Sequence, residues 1–490
     1  MRVEIPKSWR GFCCTLSMAK INFWTTLLCA SLLALSSYSQ EMRIKKGIIV
    51  DSLKVHDSIP DSYALFLPQR FEMKGKWPLL AVFNMKGDVK RQMFKYSTLA
   101  EKYGYVVVGY NSVRDTVSLS ENMIRTKRVL DHLISIFPIN KSRIYTAGKG
   151  AGGRFANLVP IFLKDIEGTV VENAALANVE LLNAKNPFQF VGIVAKENYN
   201  YFTLLKDEKV FNSLKFPNSL LVSNTDETDT APKLEKALRY FNLSAMAKGN
   251  MPKDSLFISS AFKADLNDIT SALNANQFLV ANRAMAETIN AFRNLTAVDS
   301  LREMKKQLKR RKEFRNQKRG EEAAFFKETF LREDFAYYLE EDVLTYNFNN
   351  LGWWTFQMDK IDGYSKGVNL SEKLMGYRLR GYVNALIEDN IDLVTNLKVV
   401  DEEALVFLYM LKTITDPKVN TNYFKVASLA AKNEDYGTAL FYLEEVLKKG
   451  LATKEEIYSI PNTALLRITP EFNTLVDKYF KDARYKIKDE

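Results

Sequence analysis

From about residue 47 to residue 292, short apolar runs alternate with stretches whose apolar residues recur three and four positions apart. The runs at 63–67, 79–83, 105–109, 144–147, 190–195, 219–223 and 256–259 predict strands. Between them, 94–103 and 120–137 predict helices, the second closed by Pro138. Strands alternating with helices predict an α/β fold, a mostly parallel sheet with helices on its faces. After about residue 299 the strand pattern stops, and 321–347, 350–361, 370–387, 401–413, 422–431, 436–449 and 470–485 all carry helical spacing. A run of helices after an α/β block predicts a separate all-α domain. The expected boundaries are 43–295 for the α/β domain, 296–320 for a linker and 321–490 for the helical domain.

Residues 1–39 have a different texture: Lys20 precedes the apolar run 21–35, and small polar residues follow before Gln40. That is the layout of a secretory signal, with Met18 offering a start of more usual length. The run is short for a membrane span, which needs about 20 apolar residues. An exported protein, periplasmic, cell-surface or secreted, is expected. Cys13, Cys14 and Cys29 all fall in this leader, so a processed chain carries no thiol for disulfide, zinc or nucleophilic chemistry. Composition is otherwise that of a globular protein, 47% hydrophobic and 26% charged, with a formal charge of +11 over 490 residues. Much of the excess sits at 301–320, where ten Lys or Arg face two Glu. The expectation there is the solvated face of a linking helix, with an anionic partner as the alternative and nucleic acid not expected outside the cell.

The most informative stretch is 141–157, where a predicted strand runs into a glycine-crowded turn and then a helix. Arg143-Ile144-Tyr145 followed by Gly148-Lys149-Gly150-Ala151-Gly152-Gly153 resembles the α/β-hydrolase family, particularly its secreted feruloyl-esterase and polyester-depolymerase branch. That resemblance implies a G-x-S-x-G elbow, whose glycines let a strained turn present the nucleophile and let the helix start close to the sheet. Here Gly150 stands at the serine position, flanked by Gly148 and Gly152. Glycine has no atom with which to attack a carbonyl, so acyl transfer through this position is impossible. Upstream, Asn84 and Gly87 fall where the resemblance implies a His-Gly oxyanion loop, with Asn84-Met85 in place of His-Gly.

The triad order Ser…Asp…His implies a late histidine. The chain has only His56 and His132, both ahead of the elbow and both expected to be surface or packing residues. Asp226 and Asp229, in the loop after 219–223, are the candidates for a leftover acid without a base to orient. Ser112 and Ser223 are alternative nucleophiles with no histidine to activate them. Reading GKGAGG as a phosphate cradle is weaker, because the P-loop ending and the dinucleotide spacing are both missing. No cofactor or metal is expected, with two histidines and no Asp-x-Asp-x-Asp loop.

In the helical part, Asn433-Glu434-Asp435-Tyr436-Gly437-Thr438-Ala439 resembles the turn of a tetratricopeptide repeat, which implies a helix pair in close contact at Ala439 and a surface for a protein or peptide partner. Trp353, Trp354 and Phe356 are expected in the core. The combined expectation is an exported, catalytically inactive α/β-hydrolase-like protein that binds or scaffolds in the cell envelope. Its alternatives are an esterase with a rearranged site and a carbohydrate- or peptide-binding accessory factor.

Overall fold

The computed structural model describes residues 45–223 and 230–485. The leader at 1–39, and with it Asp226 and Asp229, lie outside the described residues. Eight strands form one sheet: β1 (Ile49–Lys54), β2 (Ser62–Phe66), β3 (Trp77–Phe83), β4 (Val106–Tyr110), β5 (Ile139–Lys149), β6 (Gly168–Glu172), β7 (Gln189–Ala195) and β8 (Asn218–Ser223). Their order is β1-β2-β4-β3-β5-β6-β7-β8, with β3 to β8 mutually parallel and β1 and β2 antiparallel at one edge. This is the mostly parallel α/β sheet that the sequence pattern predicts. Parallel strands covered on both faces read as unbroken apolar runs, and β4 (VVVGY) and β7 (QFVGIVA) are buried at every position.

Helices α1 (Val89–Tyr103) and α5 (Thr230–Lys248) cover one face, sharing a core with Ala64, Val82, Tyr145, Val170 and Val191. The other face carries α2 (Leu119–Ile136), α3 (Ala151–Phe162) and α4 (Asn200–Ser213). There His132 of α2 meets Tyr63 edge-on at 5.9 Å, and Phe211 of α4 stacks on Phe190 at 4.6 Å.

The strand expected at 256–259 is instead the first turn of α6 (Ser255–Asn274). Asp254 caps that helix by accepting from the Phe257 N–H at 3.0 Å. Ala261, Asp265, Ile269 and Ala272 are buried at helical spacing, whereas Leu256 is 80% exposed. Burial therefore follows the longer period, and a four-residue window was too short to show it. Helices α7 (Phe278–Phe292) and α8 (Asp299–Arg310) follow, and the chain is helical from there on: α9 (Lys312–Thr345), α10 (Leu351–Lys366), α11 (Leu370–Thr395), α12 (Glu402–Thr415), α13 (Asn420–Lys432), α14 (Tyr436–Lys448), α15 (Lys454–Ser459) and α16 (Pro470–Phe480). Among the described residues no helix is long and apolar enough to cross a membrane.

The turn at 433–435 joins α13 and α14, with Asp435 accepting from the Thr438 N–H at 3.0 Å and Ala439 fully buried between the helices. Trp354 lies in the core, its indole N–H donating to buried Asp342 at 2.8 Å, and Trp353 packs beside it. Phe356 is 63% exposed, against expectation. Two positions beyond Trp354, it lies roughly 200° further round the helix, away from the buried stripe.

Candidate functional site

The chain leaves β5 at Lys149, turns at Gly150 and enters α3 at Ala151. Gly150 holds φ +54° and ψ −123°, a conformation open to glycine and strained for any other residue. Its neighbours are glycines for a different reason. A Cβ at Gly148 would stand 2.3 Å from the Gly152 carbonyl oxygen, and one at Gly152 would stand 2.2 Å from the Phe83 carbonyl oxygen. A Cβ at Gly153 would meet that of Ala174 at 2.7 Å. The start of α3 is thus pressed onto the ends of β3 and β5, as an elbow requires. At Gly150 itself a Cβ would meet nothing within 4 Å. The turn has the shape that presents a side chain into open space, and it presents none.

Asn84 and Gly87 lie in the turn after β3. The Asn84 amide donates to the Asp88 carbonyl at 2.8 Å and accepts the Lys86 N–H at 3.0 Å, so both ends serve the turn. Gly87 takes φ +87° and donates its N–H to the Asn84 carbonyl at 3.3 Å. Asp88 then caps α1 through the Arg91 N–H at 3.2 Å. These residues shape the loop beside the elbow.

Neither histidine reaches the elbow. His132 packs on Tyr63 of β2, and His56 sits in the β1–β2 turn, accepting the Ser58 N–H at 3.2 Å. Three strand spacings separate β2 from β5 in the sheet order, about 14 Å. Ser112 is committed locally as well: its Oγ accepts the Ser62 N–H at 2.9 Å. Ser223, 2% exposed at the end of β8, is likewise three spacings from β5 on the other side.

One residue beside the elbow was missed. Glu172 ends β6 in register with Lys149, and its carbonyl accepts the Gly150 N–H at 3.0 Å. Its side chain is 1% exposed and accepts from the Tyr96 hydroxyl at 3.3 Å, with the Lys95 ammonium 3.9 Å away. Oε2 has no hydrogen-bond partner. Burial raises the Glu172 pKa above the usual carboxylate range, against the opposing charges of Lys95 and Lys149. A charge closing the apolar run Thr169-Val170-Val171 was the available signal, and the strand was too short to be noticed.

The helical region meets the same edge of the sheet. Arg378 of α11 donates to the Lys196 carbonyl at 2.8 Å, and Arg332 of α9 donates to the Tyr199 carbonyl at 2.9 Å. Both carbonyls belong to the turn after β7. Fully buried Glu328 joins the two guanidinium groups, at 2.7 Å to each. Arg154 of α3 reaches the Tyr199 hydroxyl at 3.4 Å and lies 4.0 Å from Asp389 of α11. Helices α9 and α11 are therefore fastened to the carboxyl ends of β5 and β7, the edge on which open α/β sheets bind ligands.

No protein-family model matches the chain, and no curated protein matches it. Solved structures do. Esterase B from Lactobacillus rhamnosis is 12% identical, with 48% of this chain and 99% of that one covered at a TM-score of 0.35. S-formylglutathione hydrolase (FrmB) from Staphylococcus aureus is 12% identical, covering 40% of this chain and 96% of that one at 0.33. A candidate dipeptidyl aminopeptidase IV from Bacteroides ovatus is 15% identical, covering 40% of this chain and 35% of that one at 0.34.

Proposed function

We propose that the protein is an exported, non-hydrolytic binding or scaffolding module of the cell envelope, built on an α/β-hydrolase-like sheet and a tetratricopeptide-like helical region. The observation that carries this reading is Gly150. It stands where the resemblance puts the nucleophile, at a positive φ with nothing within 4 Å of a Cβ placed there, while both histidines lie about three strands away. Loss of nucleophile and base together leaves nothing for a neighbouring group to rescue. The partner is a protein or peptide segment held by the helices after Asp299, the α13–α14 pair supplying the repeat-like unit. Nine of the ten cations at 301–320 are exposed, which supports an anionic partner at that segment.

Turnover of a panel of acyl and feruloyl esters by the full chain tests this directly. The reading predicts no saturable turnover, and none for Gly150→Ser, because no histidine stands beside the new hydroxyl. A rearranged acyl hydrolase is favoured by one observation, the buried carboxyl of Glu172 beside the elbow with an unpartnered oxygen. Such a carboxyl could serve as a general base toward water. Saturable turnover that disappears in Glu172→Gln, Asp226→Ala or Asp229→Ala would establish that alternative.

A further inference from the structure

β8 is the last strand of the sheet, and its outer edge faces a cavity of about 750 Å³ instead of a ninth strand. Helices α4, α5, α6 and α7 wall the cavity, and α8 and α9 close it. Gln317 fixes that closure, accepting the Phe278 N–H at 3.1 Å and donating to the Asn276 carbonyl at 2.7 Å. The size is within the range of small-molecule sites. The basic segment keeps nine of its ten cations exposed, as expected of a solvated face, but half-buried Lys305 and buried Phe314 reach the cavity wall, with exposed Lys318 at its rim. The cavity lies three strand spacings from the elbow, about 14 Å along the sheet, and owes nothing to it.

Part of its charge is already matched. Arg283 holds Glu208 bidentately at 2.9 and 3.2 Å, and Lys236 pairs with Asp265 and Asp268, each at 3.3 Å. The Tyr201 hydroxyl donates to Glu321 at 3.4 Å, and Lys318 pairs with Glu322 at 3.3 Å. Among the described residues, the ammonium groups of Lys196, Lys233 and Lys305 have no carboxylate within 4 Å. All three are half-buried, and burial lowers the pKa of Lys196 and of Lys305. Two acceptors are also unmatched: Glu287 Oε1 and Asn282 Oδ1, on α7, are buried without a hydrogen-bond partner, and Glu287 is only 7% exposed. Leaving such groups unpaired costs free energy that a suitable ligand recovers. Asn212, Asn218, Asn290 and Ser271 add neutral donors and acceptors to the lining.

We propose that this cavity binds a small polyhydroxylated carboxylate, the chemistry of a uronic acid sugar. Its carboxylate sits among Lys196, Lys233 and Lys305, and its hydroxyls donate to Glu287 and Asn282. Three cations without partners select an anion. Two buried acceptors without donors select a ligand that also carries several O–H groups set apart from its charge, whereas in inorganic phosphate any P–OH shares the one phosphorus with the charged oxygens.

Isothermal titration of the full chain tests the proposal, with D-galacturonate and its dimer as probes and D-galactose and inorganic phosphate as controls. A uronate should bind at least about tenfold more tightly than either control. Lys233→Met and Lys305→Met should each weaken it by about tenfold, the worth of one charge-assisted hydrogen bond, with the melting temperature unchanged. Both lysines are half-exposed enough for the variants to fold, and circular dichroism verifies that they do. No heat from either uronate at millimolar concentration would overturn the proposal, as would equal binding of galactose or phosphate, or affinity unchanged in both folded variants.

Discussion

Gly148, Gly150 and Gly152 stand two residues apart in one turn, yet only the outer pair is held by its neighbours. A methyl group at Gly148 or Gly152 would overlap a backbone carbonyl, so Gly148→Ala and Gly152→Ala should lose on the order of 3 kcal/mol or more. Gly150→Ala meets no atom and should lose only about 1–2 kcal/mol, the strain of a positive φ. Urea denaturation of the three variants checks the ranking, and equal losses would contradict it. Glu287 gives a second prediction at this scale. Burial pushes its pKa up to about 7, against the opposing charges of Arg283 on α7 and of Lys236 and Lys233 on α5, and with the help of Glu208 on α4. The folded chain therefore prefers the protonated form. Stability tied to this group is complete below the ordinary value of 4.5 and is lost as pH rises to about 7. Glu287→Gln keeps the neutral shape at every pH. It should melt above the parent chain at pH 8, by the equivalent of roughly 3 kcal/mol, with the difference vanishing near pH 4. The elbow glycines were legible from spacing alone. Glu172 and Glu287 were not, because a lone carboxylate in a sequence does not reveal which strand end or cavity will desolvate it.

At the scale of elements, the buried Arg332–Glu328–Arg378 group is the main polar fastening between the helices and the turn after β7. Replacing Glu328 with alanine leaves two buried guanidinium groups facing each other. Such a loss typically costs 3–5 kcal/mol. Glu328→Ala should show that loss, together with faster hydrogen exchange of the amides at 196–202, and unchanged exchange there would mean the turn does not depend on the helices. Element prediction worked where a run was long or deeply buried: β2, β3, β4, β5, β7 and β8 all lie on expected runs. It failed at β1, where burial is only partial and the alternation is interrupted by a positive φ at Ser52, and at β6, only five residues long. The three cations Arg332, Arg378 and Arg154 gave no signal, since apart from Glu328, four positions before Arg332, their partners lie 45 to 235 positions away along the chain.

As a whole molecule, the chain from Lys46 onward forms one compact unit by its internal contacts. One cooperative unfolding transition should follow. Trp77 reports on β3 and Trp353 and Trp354 on α10, so single-tryptophan variants should give coincident denaturation midpoints. Two separated midpoints would show that sheet and helices unfold independently. The sequence pattern placed the change from α/β to all-α near residue 299, whereas among the described residues the strands end with β8 at Ser223 and only helices follow. What it could not supply is the way helices far along the chain reach back to the sheet's carboxyl edge and to the outer side of β8.

The central claim is that the elbow keeps its geometry without a nucleophile or a base. Serine-directed fluorophosphonate reacts with an activated hydroxyl and spares ordinary serines. Intact-mass analysis after incubating the folded chain with this reagent is the most direct test. The account predicts a single unmodified species under conditions that label a working serine hydrolase completely. A stoichiometric adduct, mapped to any serine of the folded chain, would contradict it and would locate the nucleophile that Gly150 lacks.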